Sequence, residues 1–345
     1  MALIAWVAVV AYASLYPFGP VRPPGPDAFA IFFRPRVVLE FDMAVNVLAY
    51  VPLGALAALL FGAAAWPWRA VARATAACAA FSLAMEASQL VISHRVASLY
   101  DVGTNTVGAF LGALLFAPPL RAWVSDPLAR WRERIVAGGG WGDAGLMLVL
   151  LWLIAQLNPA LPFFEAGNIG DEEGSAASFA VVAGSVAASV AAFGLFVSVV
   201  LRGPGGALRW TLLLLTVALW CKFATASLYL RPQVAAAWMS EGRIAGLAVG
   251  LLAFLPLRRM PRPGRIYLAI VLLLGGALLA KIFGAYSALG EFLRLFSWPF
   301  GQLGNFATLT RWIHEAWPFL ALAWLVALFI WRRSEPIQSP APVPE

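Results

Sequence analysis

Two stretches of this sequence carry the same polar signature in otherwise apolar surroundings: Phe41-Asp42-x-x-x-Asn46 and Tyr100-Asp101-x-x-x-Asn105. At i and i+4, an Asp and an Asn share one helix face, about one turn apart. Between these stretches lie Glu86 and Gln89, also one turn apart, then Ser93, His94 and Arg95, with Ser82 near the same stripe. A carboxylate can serve as a general base or as an oxygen ligand for a hard cation. Amides hydrogen-bond sugar and peptide groups, and a guanidinium can hold a phosphate.

The elements that must position these groups are membrane helices. The chain has 345 residues, of which 62% are hydrophobic and only 12% charged, against roughly 25% charged in a soluble domain. The fold expected is all-α, a polytopic transmembrane bundle. Ten apolar segments are long enough to span a bilayer, at 2–18, 41–62, 69–93, 101–118, 144–163, 176–201, 208–229, 243–257, 266–283 and 312–331. The net charge of +7 is not a nucleic-acid signal, because the arginines fall in short loops between apolar segments. Cys78 and Cys221 both lie inside apolar segments, which argues against a disulfide framework or a thiolate metal site.

Loop charge sets the orientation. With the N-terminus inside, the inner loops hold fourteen arginines and the outer loops eight, so the expected topology is N-in and C-in. Residues 119–143 read as a basic linker with Trp123 and Trp131, an interfacial helix ending in a Gly138-Gly139-Gly140 hinge. The expected organisation is therefore a four-helix unit at 1–118, the linker at 119–143, a six-span unit at 144–333 and a disordered tail at 334–345. Residues 286–311 are aromatic but broken by Pro299 and glycines, and read as a segment lying in the outer interface or dipping back into the membrane.

In this topology the second and fourth spans start outside and the third ends outside. Asp42, Asn46, Glu86, Gln89, Arg95, Asp101 and Asn105 are then expected to meet at the outer side of the four-helix unit. Asp42 and Asp101 sit where a carboxylate caps a helix N-terminus. Asn46 and Asn105 can bond neighbouring helices. Glu86 lies about two turns below the outer end of its span, too deep to snorkel. It should be protonated, paired with Arg95, or aimed at a polar pocket. A purely structural clamp is the competing reading of the same residues.

The ordered motifs Asp42, Asn46, Pro52-Leu53-Gly54, Glu86, Gln89, Arg95, Ser98, Asp101, Asn105, Gly108 and Gly112 resemble the VanZ-like domain. That family is named for a protein linked to low-level teicoplanin resistance. The resemblance covers about residues 1–118 and implies a cell-envelope role in the plasma membrane, with antibiotic resistance as the associated phenotype.

The second half has fewer landmarks. Lys222 and Lys281 fall toward outer ends of spans and read mainly as interfacial, snorkelling lysines. Asn158-Pro159 and Asp171-Glu172-Glu173 read as a solvated outer loop, and His314-Glu315 as the capping turn of the last span. Three functions remain open. The first is a binding protein whose outer cluster engages a glycopeptide or a lipid-linked cell-wall precursor, with membrane lipids as its surroundings. The second is a membrane enzyme acting on a lipid-linked glycan or headgroup, with Glu86 or Asp101 as base and Arg95, with Arg34 or Arg36, on a phosphate. The third is a transporter. A metal site from Asp42, Glu86 and Asp101 is chemically conceivable, but no metal, no other cofactor and no nucleic-acid partner is expected.

Overall fold

A computed structural model of the chain describes residues 2–16, 18–34, 40–62, 67–92, 95–117, 120–158, 161, 176–229, 239–283 and 301–334. The architecture is all-helical. In order, the helices are α1 (Ala2–Leu15), α2 (Ala28–Phe33), α3 (Glu40–Phe61), α4 (Pro67–Gln89), α5 (Leu99–Leu114), α6 (Asp126–Ile135), α7 (Gly139–Ala155), α8 (Ala176–Val200), α9 (Ala207–Tyr229), α10 (Glu241–Leu257), α11 (Arg262–Phe283) and α12 (Gly301–Ser334). Each apolar segment singled out in the sequence coincides with a helix. Among the described residues, five helical stretches are long and apolar enough to cross a bilayer: Met43–Phe61, Pro67–Gln89, Phe179–Val200, Pro204–Ser227 and Leu309–Trp331. The chain divides into two compact units, residues 1–132 with 300–309, and residues 133–299 with 310–345.

In the first unit α3 and α5 form the tightest pair. Three glycines let the backbones touch. A Cβ on Gly54 would run into the Ala109 carbonyl, one on Gly108 into the Val47 carbonyl and one on Gly112 into the Val51 carbonyl. Small residues allow this approach where lipid offers no hydrophobic drive to associate. The pairings 47 with 108 and 51 with 112 advance together, so α3 and α5 run parallel. α4 returns between them and packs on both. α1 leans on α3 and α4, anchored by Trp6 Nε1 donating to the Ala49 carbonyl at 3.0 Å.

Beyond α1 the chain turns sharply at Phe18, whose φ of 49° lies in the left-handed region. Such a conformation costs about 1 kcal/mol or more in a bulky residue. Here it lets the Phe18 ring join Tyr12 and Tyr16, at centroid separations of 5.5 and 6.1 Å. The segment that follows forms an antiparallel bridge from Val21 to Ile92 and leads into α2, which packs on α5 and buries Phe32.

The linker read from the sequence contains α6, a short helix with an apolar and a basic face. It follows a π-turn at Arg121–Ser125, where Trp123 stands exposed. Gly138 is the N-cap of α7, whose first residues are Gly139 and Gly140, and the boundary between the units falls at 132/133, inside the linker segment.

In the second unit α8 is central, and its residues from Val190 to Val200 are almost wholly buried. Gly246 and Gly250 of α10 sit on it so closely that a Cβ would lie 2.6 Å and 2.7 Å from the Ala183 and Ala187 carbonyl oxygens. Arg262 and Arg265 of α11 donate to the Val199 and Ser198 carbonyls at 3.0 and 2.9 Å, satisfying the C-terminal end of α8. Trp317 and Trp324 of α12 donate to the Leu148 and Trp141 carbonyls at 2.7 and 3.2 Å, so α12 runs antiparallel to α7.

Three expectations for this half are corrected. Lys222 is no interfacial lysine. It is 0% exposed, and its ammonium donates to the Asn158 carbonyl at 3.2 Å and to the Leu161 carbonyl. The unwound chain after α7 supplies those acceptors, which are cheaper to reach than water from a packed helix. Asn158 is likewise buried, not solvated, with Nδ2 donating to Thr310 Oγ1 at 2.9 Å. The last helix begins at Gly301, so His314 and Glu315 lie inside it, and Glu315 accepts from Arg311 at 2.8 Å instead of capping. This also places residues 301–311 in α12. The acidic run 171–173, the Lys281 side chain, residues 286–300 and the tail beyond Ser334 lie outside the described residues.

Candidate functional site

The seven polar residues singled out in the sequence all belong to the first unit, and six of their side chains are described. The Asp42 backbone is helical, within α3, but its side chain lies outside the described residues, as do Ser93 and His94. The others fall into two linked sets at the end of the unit where α1 and α4 finish and α5 starts.

The first set clamps α1. Gln89 Nε2 donates to the Ser14 carbonyl at 2.9 Å. Arg95 Nε donates to the same carbonyl at 2.9 Å, and its Nη2 donates to Ala13 O at 2.7 Å and Ser14 O at 2.5 Å. The last turn of a helix leaves its carbonyls unsatisfied and partially negative, and a guanidinium answers both needs. Burial pulls the Arg95 guanidinium below the ordinary arginine value, while the Glu86 and Asp101 carboxylates push it back up.

The second set ties α3, α4 and α5 together. Asn46 Nδ2 donates to Asp101 Oδ1 at 2.8 Å. Asn105 Nδ2 donates to Ser82 Oγ at 2.8 Å, leaving Asn105 Oδ1 buried without a hydrogen bond. Glu86, only 4% exposed, accepts from the Ser98 backbone N–H at 2.8 Å. The Tyr50 hydroxyl is buried beside Ser82 but outside hydrogen-bonding geometry.

These contacts correct one expectation and narrow another. Asp101 does not cap α5. Ser98 is the N-cap, its Oγ accepting from Tyr100 N at 3.1 Å. Ser98-Leu99-Tyr100-Asp101 has the sequence of a capping box, in which the third helical side chain returns to the cap N–H. Here that N–H goes to Glu86, and Asp101 turns to Asn46 on the neighbouring helix. Glu86 therefore meets a backbone donor, and it forms no ion pair among the described residues. Ser98 could have been identified from its pattern with Asp101. The Ala13 and Ser14 carbonyls could not, since every residue carries a carbonyl.

The Asn46–Asp101 bond spans the top of the glycine-packed α3–α5 contact. Asn46→Leu is expected to destabilise the protein by about 1–2 kcal/mol, the upper range for hydrogen bonds between membrane helices. Denaturation titrations in detergent would measure it. The double variant Asn46→Leu/Asp101→Leu should recover part of the loss if the pair is coupled.

Beside Arg95 a cleft of about 290 Å³ opens. Its walls come from the segment before and within α2 (Arg22, Ile31) and from the chain between α4 and α5 (Val91, Ile92, Val96). The Arg22 backbone is pinned by its N–H to the Val91 carbonyl at 2.8 Å. The Arg22 side chain is exposed and forms no hydrogen bond or ion pair among the described residues. In the sequence Arg22 is legible only as a loop charge.

No curated protein and no solved structure matches the chain. Residues 2–123 match the family model described as VanZ/LLP1, and the remainder has no family match. The polar clamp, the glycine-packed α3–α5 pair and the cleft all lie inside that match, so the N-terminal third of this helical membrane protein is similar to the VanZ/LLP1 family.

Proposed function

We propose that the chain is a multi-pass plasma-membrane protein of the cell envelope that binds a glycopeptide or a lipid-linked cell-wall precursor at the outer end of its VanZ-like domain. Ten helices cross the bilayer, with both termini inside. The helix directions support this path. Within the first unit α3 and α5 are parallel, as the second and fourth crossings must be. Within the second unit α7 and α12 are antiparallel, as a fifth and a tenth must be. Trp152 stacks on Phe193 at 4.1 Å while a Cβ on Gly145 would meet Val200, so α7 and α8 are antiparallel too.

The observation that carries the binding reading is Arg95. It is fixed by three hydrogen bonds to α1 and still lines an open cleft. A preorganised cationic residue lining a cleft is a recognition element. Glu86 and Asp101 are each engaged in a bond between structural elements, which favours binding over general-base chemistry.

The test uses a strain lacking the chain, complemented with wild type, Glu86→Gln or Asp101→Asn. The expected outcome is a shift in glycopeptide susceptibility on deletion, restored by wild type and only partly by variants that accumulate normally. Unchanged susceptibility on deletion would sink the reading. Variants that fail to accumulate would show that these residues act as a clamp alone. A lipid-linked species gained or lost in the deletion strain would point to an enzyme.

A further inference from the structure

We propose that the Arg22–Arg95 cleft seats the phosphate of an anionic membrane lipid. This rests on the reading above, in which this end of the unit faces outward at the bilayer boundary, and it names the chemistry that the cleft takes.

Four features converge on it. Arg22 and Arg95 both line one cleft. Arg95 Nε and Nη2 are spent on α1, so Arg22 supplies the forked donors that match phosphate oxygens two at a time. The nearby carboxylates, Glu86 and Asp101, act on Arg95, which leaves Arg22 as the cation that draws an anion in. The cleft lies just past Gln89, where the apolar stretch Pro67–Gln89 ends, the depth at which headgroups sit. Its walls are otherwise apolar, through Ile31, Val91, Ile92 and Val96. Phe29 and Phe33, one turn apart on α2, are both exposed and give acyl chains a surface to lie against. At about 290 Å³, the space is at the lower edge of ligand pockets, roughly 300–1,000 Å³. That is room for a headgroup phosphate.

The full-length protein in detergent would be titrated with phosphatidylglycerol, phosphatidylcholine or inorganic phosphate, and retained ligand read by native mass spectrometry. Wild type is expected to retain phosphatidylglycerol in preference to phosphatidylcholine. Arg22→Gln should lower that retention about tenfold, the effect of losing a charge-assisted hydrogen bond. Arg22→Lys should fall between the two, and Arg130→Gln on α6 should match wild type. Among the described residues the Arg22 side chain has no bond to lose, and circular dichroism verifies that helix content is kept. Equal phosphatidylglycerol retention by Arg22→Gln and wild type overturns the proposal. So does displacement of the lipid by millimolar inorganic phosphate, which would identify a site for the free ion. A deletion phenotype with Arg22-independent lipid retention would remove this proposal and leave the envelope reading standing. Arg22-dependent retention with no deletion phenotype would do the reverse.

Discussion

Gly108→Leu is expected to abolish accumulation of the folded protein, and Gly108→Ala to lower its unfolding midpoint clearly. The first added carbon already meets the Val47 carbonyl. This is backbone against backbone, so no rotamer change can relieve it, and α3 and α5 must separate. Overpacking ordinarily costs about 1–3 kcal/mol and more where the obstacle is rigid. Separation would also pull Asn46 from Asp101. The control is Gly103→Ala on the same helix. Nothing lies within 4 Å of its Cβ position, and replacing a helix glycine by alanine gains about 0.5–1 kcal/mol. Unfolding titrations of the three variants in one detergent would measure the contrast. Equal midpoints for Gly108→Ala and Gly103→Ala would refute the close α3–α5 contact.

Arg95→Met should be the most damaging single change outside the glycine-packed contact. It removes three hydrogen bonds to the end of α1. It also removes the cation that sits near Glu86 and Asp101. Arg95 is half-buried, and losing hydrogen bonds from a charged donor costs about 1.5–3 kcal/mol. The loss should be local first, with α1 detaching while α3, α4 and α5 stay packed. Hydrogen exchange would then rise over Ala2–Leu15 well before it rises over Leu99–Leu114. Arg95→Lys should restore part of the protection, because an ammonium still reaches a carbonyl but cannot fork across two. Exchange that rises equally in both helices would show that Arg95 supports the whole unit and not α1 in particular.

The sequence made the helices legible because hydropathy acts over long windows, and no later contact can change which twenty residues are apolar. The convergence of Asn46, Glu86, Gln89, Arg95, Asp101 and Asn105 toward one end followed from helix direction alone. The partners did not. Half of them are backbone groups, at Ala13, Ser14 and Ser98, and composition cannot distinguish one carbonyl or N–H from another. Lys222 was misjudged for a related reason. A lysine near the end of an apolar helix normally reaches for water. Here the chain unwinds after α7 and brings the Asn158 and Leu161 carbonyls to it. Unwinding of that kind depends on packing across the second unit, which is set by residues more than sixty positions away. The short helix α2 was missed because six residues are too few to show periodicity.

The Asn46–Asp101 bond joins positions 55 residues apart, on helices that must be made one after the other. At roughly 5–20 residues per second, the ribosome delivers Asp101 about three to ten seconds after Asn46. During that interval Asn46 has no Asp101 to bond. The order of the two residue types suits this delay. The group that waits is a neutral amide, which lipid and lipid-bound water tolerate better than a carboxylate. The group that ionises is made last, when a donor is already in place to receive it. Exchanging the two, Asn46→Asp with Asp101→Asn, would keep the finished bond and reverse the order of arrival. A mature protein of unchanged stability but lower yield would then trace the difference to its birth.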